Sequence, residues 1–192
     1  MSKPAPLPWH ARAALVSCTV LAGLVGLSTS EEMVRLRRLS EIEHVLPPNS
    51  RLPEALQARA EEVMRASLFG MQNSRMVVLG LLCLASTATF VAVLWLWLPL
   101  GLPRGGMLRL TSLAALGCAL LRIVEGAQLA VVFRRMAIAL IQAGGAELRP
   151  DVPLVVQVAR TLVVAGVFAG LSQYFRSPAA RKLFTAGDPS SP

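Results

Sequence analysis

From Met76 to Pro103 the chain carries no charged residue, and Arg75 and Arg104 bound the run at its two ends. A helix of roughly 18 to 25 apolar residues is what the ~30 Å hydrocarbon core of a bilayer demands. A soluble domain has little room for a helix that is apolar on every side, so lipid is the natural solvent for this one. Trp95 and Trp97 fall near its end, where aromatic rings settle at a membrane interface, and Pro99 and Pro103 stop the helix.

Three more runs share this character. Ala13 to Ser30 is charge-free and long enough to cross. Lys3 and Arg12 before it, and Ser28-Thr29-Ser30 after it, give it some look of a cleaved leader. Three further spans already anchor the chain, so the run is expected to stay as a span. A third helix from Met107 to Ala143 is longer than any bilayer is thick, which predicts a membrane segment Leu110 to Phe133, then Arg134 and Arg135 at the interface. Met136 to Ala143 becomes an extension beyond it, ended by Gly144-Gly145. Asp151 as N-cap and Pro153 in the first turn open a fourth helix that reaches Phe175. With the connecting turn centred near residue 147, antiparallel pairing puts Arg160 level with Arg134, as an anchor at the interface.

The expected fold is therefore all-α: one membrane domain over residues 1–192, a four-helix bundle with spans near 12–30, 76–99, 110–133 and 156–176. At 54% hydrophobic residues the chain exceeds the roughly 45–50% of soluble domains. Residues 31–75 read as an extramembrane helical hairpin after the first span. Pro47-Pro48-Asn49-Ser50 breaks two striped segments, one carrying Met33, Leu36 and Leu39, the other Leu56, Ala60, Met64 and Leu68. In a four-span chain the first and third connections share a side. The hairpin is thus expected to form a cap, with Met33, Leu36, Leu39, Val63, Met64 and Leu68 packed on Ile138, Leu140 and Ile141.

Lys and Arg number 19 against 11 Asp and Glu, a net charge of +8. The basic residues are scattered between apolar runs without aromatic interleaving, which argues against nucleic acid and for membrane lipids as their partners. Arginine far outnumbers lysine, a bias of GC-rich bacterial genomes, so a bacterial cytoplasmic membrane is the expected location, in multi-pass form. The basic excess on the hairpin side favours that side as cytoplasmic.

Arg122 and Glu125 are the charged residues near the middle of a span. Three residues apart, they lie on neighbouring positions of one helix face. A charge at mid-bilayer costs about 2.5–3.5 kcal/mol on insertion scales, so this pair is the candidate intramembrane polar site. Its plainer reading is an ion pair turned into the bundle, with Ala119, Gly126 and Ala130 nearby favouring a close helix contact. Gly166 and Gly170 form a GxxxG expected to pack helices, within this bundle first and between copies second, which leaves room for a homo-oligomer.

Glu31-Glu32 with Arg35 and Glu61-Glu62 with Arg65 form two EExxR patterns. Each resembles the EExxxR element of CAAX-type intramembrane proteases, but the spacing is one residue short and neither His10 nor His44 lies in a span. Local ion pairs at i, i+3 and i, i+4 account for both copies. Cys18, Cys83 and Cys118 stand singly in apolar runs and read as small packing residues. With no GxSxG, HExxH, Walker A or GxGxxG, the chain shows no metal site, no cofactor site and no catalytic residues. The function to expect is that of a non-enzymatic accessory or scaffold subunit binding a protein partner through the 31–75 hairpin. The alternative is a small transporter or channel component that uses Arg122 and Glu125.

Overall fold

In the computed structural model, residues 7–41, 53–98, 104–144 and 152–185 are described. Among them the chain is 92% helix with no strand. Six helices follow in order: α1 Trp9–Arg37, α2 Glu54–Gly70, α3 Gln72–Trp97, α4 Arg104–Gln142, α5 Val152–Arg176 and α6 Pro178–Thr185. Four of them, α1, α3, α4 and α5, are long and apolar enough to cross a membrane. The turn expected at Pro47–Ser50, His44 and the Asp151 cap lie outside the described residues.

The ends of the helices follow local chemistry. Pro99 closes α3 within two residues of Trp97. Gly144 ends α4 in the left-handed region at φ 87°, which only glycine enters at no cost. Gly105 and Gly106 belong to the first turn of α4, which begins ahead of the expected Met107. α1 runs past the apolar segment to Arg37, so the first arm of the expected hairpin is largely the end of α1 itself. Only Met71, at φ −113° and ψ 7°, separates α2 from α3.

The long helices pack antiparallel in sequence order, and the pairs of touching residues give their register. Thr89 of α3 meets Cys118 of α4. Ser112 of α4 and Ser172 of α5 exchange hydrogen bonds, each Oγ donating to the other's carbonyl at 3.1 and 2.8 Å. One end of the interior gathers Leu15, Val93, Leu96, Leu108 and Phe175 with Phe184 of α6. The middle is filled by Val25, Leu82, Cys118, Ala119 and Phe168. At the far end, Leu36 and Leu39 join Leu68, Leu79 and Val132, and Ala60 of α2 packs on Met136 and Leu140 of α4.

That last contact departs from the expected cap. Met33, Leu36, Leu39, Met64, Leu68 and Leu140 all contribute to it, but Ile138 and Ile141 are about half exposed. Val132, Met136 and Leu140 recur every four residues and so form one stripe, which leaves Ile138 and Ile141 on the other side of α4.

The register of α5 on α4 differs from expectation too. Gly126 faces Thr161, so Arg160 is level with residue 127 rather than Arg134, about 10 Å deeper at ~1.5 Å per residue. α4 overshoots the start of α5, and α2 packs against the overhang.

Candidate functional site

Two ion pairs and a cavity converge at the α2 end of the bundle. On α4, Arg122 Nη1 and Glu125 Oε2 approach to 3.1 Å. Their relative exposures are 6% and 1%. The contact is Coulombic, since Glu125 Oε2 has no aligned hydrogen bond. The second pair joins two helices: Arg75 Nη2 of α3 donates to Glu32 Oε1 of α1. Arg75 is 0% exposed. The two pairs thus bring charged side chains of α1, α3 and α4 into the bundle.

Local structure fixes these positions. Three residues on a helix bring Arg122 and Glu125 to adjoining positions of one face, and Gln128 extends that face by a further turn. Gly126, on the same turn as Glu125, lets α5 close in: a Cβ there would lie 2.3–2.8 Å from Thr161 Cγ2, Oγ1 and Cβ. Gln72 Nε2 donates to the Leu36 carbonyl at 2.9 Å and pins the start of α3 to the end of α1, which holds Glu32 opposite Arg75.

The pairs leave hydrogen-bonding capacity unused. Arg75 Nε and Nη1, Arg122 Nε and Gln128 Oε1 are buried without a partner among the described residues. Glu32 borders a cavity of about 440 Å³, whose walls also include Glu31, Arg35, Met64, Leu129 and Arg160. Such a cavity can hold water or a small polar ligand against these charged side chains. Breaking one of these pairs is costly because the other partner stays buried and charged.

Of the residues singled out from sequence, Arg122 and Glu125 form this site. Gly166 and Gly170 do not take part in it, and they do not pack helices inside the chain: a Cβ at either would meet nothing within 4 Å. Both face outward on α5. Close packing of α5 uses Gly126 of α4 instead. Glu32 is a further correction, because its partner is Arg75 on another helix rather than a neighbour in its own EExxR; in the second copy Glu62 pairs at 2.6 Å with Arg59, which precedes the motif. From sequence, Arg75 marks the boundary of a span and Glu32 belongs to a local ion pair. The signal was present all the same: runs ending at residue 30 and starting at residue 76, laid antiparallel, put Glu32 and Arg75 side by side.

Cys18 and Cys118 are buried, and Cys83 is half-buried with its Sγ 3.6 Å from Ser30 Oγ. His10 packs edge-on against Trp9 and Tyr174. Among the described residues no three His, Cys, Asp or Glu side chains are grouped to hold a metal. The chain matches no known family, and neither a curated protein nor a solved structure is similar to it.

Proposed function

We propose that this chain is a non-enzymatic, four-span integral membrane protein that serves as an accessory or scaffold subunit, offering the 31–75 segment to a protein partner. The observation that carries this reading is the division of the interior. The buried charges Arg75, Arg122 and Glu125 all lie on the α2 side of Cys118, Ala119 and Phe168, which fill the interior without a charge. An uncharged, closely packed layer of this kind suits a fixed body. α2 buries Ala60, Ser67 and Leu68 and turns Glu54, Ala58, Arg59, Glu62 and Phe69 outward, with Phe69 45% exposed. That outward face is the surface offered to a partner. The four long helices support a membrane location, a bacterial cytoplasmic membrane being the setting that fits the arginine-rich composition. The outward Gly166 and Gly170 leave self-association as a further interaction.

One observation favours a second reading, that of a small transporter or channel component. Atoms of Arg75, Arg122 and Gln128 are buried without a partner among the described residues, Glu32, which pairs with Arg75, lines a cavity, and intramembrane ionisable groups mark ion or substrate paths by default. Two measurements separate the readings. A photo-reactive residue in place of Phe69 is expected to capture one discrete protein in native membranes, and Met64→Glu, which undercuts the packing of α2, is expected to abolish the capture. The purified chain in liposomes is expected to pass no ion. A flux that Glu125→Leu removes, without any capture through α2, would move the transporter reading ahead.

A further inference from the structure

The opposite end of the bundle holds a second cavity, of about 680 Å³, between the start of α4, the end of α5 and α6. Three arginines line it, Arg109, Arg176 and Arg181, and among the described residues no carboxylate does. Arg12 and Lys182 add positive charge at the same end, and among the described residues there no acid opposes them. Arg176 is held in place: its Nε donates to Ser112 Oγ at 2.8 Å, and Ser112 is itself tied to Ser172 and 2% exposed. Among the described residues the rest of that guanidinium has no hydrogen-bond partner.

Two glycines, Gly105 and Gly106, also line the cavity, and the space where their Cβ atoms would lie is open. They form the first turn of α4, whose backbone N–H groups have no acceptor within the helix and favour negative charge. Leu108, Leu113 and Phe175 supply the apolar part of the wall, beside the hydroxyls of Ser112 and Thr185. Leu113 borders the cavity and is 60% exposed, on the side of α4 that also bears Leu110. α6 closes the cavity from the side, with Ala180 and Phe184 buried against the bundle and Arg181 and Lys182 outward. Ser177 Oγ accepts the Ala180 N–H at 3.1 Å and Pro178 stands first in the helix, which fixes where α6 begins.

From this arrangement we infer that the cavity binds a phosphate group, carried by the headgroup of an anionic phospholipid. Three guanidinium groups and an open helix start match the phosphate, and the apolar wall at Leu113 continues toward the acyl chains. A free phosphate would use the first part alone. The inference rests on the membrane reading proposed above. If that reading fails, the chain extracts from cells without detergent; if the inference alone fails, the protein remains membrane-embedded but shows no headgroup preference.

The test is thermal unfolding of the full chain in a neutral detergent, titrated with short-chain phosphatidylglycerol, short-chain phosphatidylcholine or inorganic phosphate. Phosphatidylglycerol is expected to raise the midpoint at concentrations where the other two do not. R109Q/R181Q, which alters two exposed side chains, should unfold normally without lipid and bind phosphatidylglycerol roughly 30-fold more weakly, at ~1 kcal/mol per basic residue and about 1.4 kcal/mol per tenfold. Arg59→Gln at the other end should leave binding unchanged. Equal stabilisation by inorganic phosphate would overturn the lipid source, and undiminished binding by R109Q/R181Q would overturn the site.

Discussion

Replacing Glu32 by leucine is expected to destabilise the folded bundle by about 3–5 kcal/mol, the cost of stranding one member of a buried ion pair. The partner left behind is Arg75, fully buried, with two of its three guanidinium nitrogens already lacking an acceptor. Arginine cannot escape by losing its proton. Arg75→Leu should cost less, because Glu32 has a third of its side chain exposed and borders the cavity, where water can take the place of the lost partner. The double replacement should be milder than Glu32→Leu, since apolar groups of similar volume can replace an ion pair at little cost. The same logic applied to Arg122 and Glu125 gives no such asymmetry, because both are buried. Unfolding of the four single and two double variants in one detergent supplies the comparison. Losses that simply add within each pair would show the partners to be uncoupled.

Gly126→Leu is expected to be the most disruptive single change along α4. Even alanine there would press its Cβ to within 2.3–2.8 Å of three Thr161 atoms, one of them the Thr161 Cβ, so rotation of the threonine side chain cannot relieve the contact. α5 must move, at a cost of about 1–3 kcal/mol for alanine and more for leucine. Thr161→Gly removes all three atoms and should restore much of the stability of Gly126→Ala. Gly166→Ala and Gly170→Ala meet open space and should change stability by no more than the roughly 1 kcal/mol that alanine gains over glycine in a helix. A loss at Gly166 or Gly170 as large as that at Gly126, measured at protein concentrations where the chain is monomeric, would contradict this packing.

The long helices were legible from sequence because their signal is local: an apolar run of membrane length, ended by Pro99 or by Gly144. Arg122 and Glu125 were legible for a similar reason, since a charge inside such a run stands out. The cross-helix partners were not. Whether Arg75 points to solvent or to Glu32 depends on how α1 lies on α3, and an arginine side chain is long enough to do either. The depth of Arg160 was misread because the register was taken from the middle of a loop, whereas α4 overshoots α5. Gly166 and Gly170 have the spacing of a packing motif, but spacing does not say which face of α5 meets the bundle. α6 was missed although Ser177 and Pro178 announce it, because eight residues carry too short an apolar stripe to stand out beside four long helices.

The proposed function rests on four crossings of the membrane, which would place both ends of the chain on one side and the turn expected at Pro47–Ser50 on the other. Topology reporters test this directly. Alkaline phosphatase and a fluorescent protein, each fused after Pro192 and each inserted at Asn49, report which side of the membrane the site occupies. The four-span bundle predicts opposite results at the two sites with either reporter. The same result at both would contradict it.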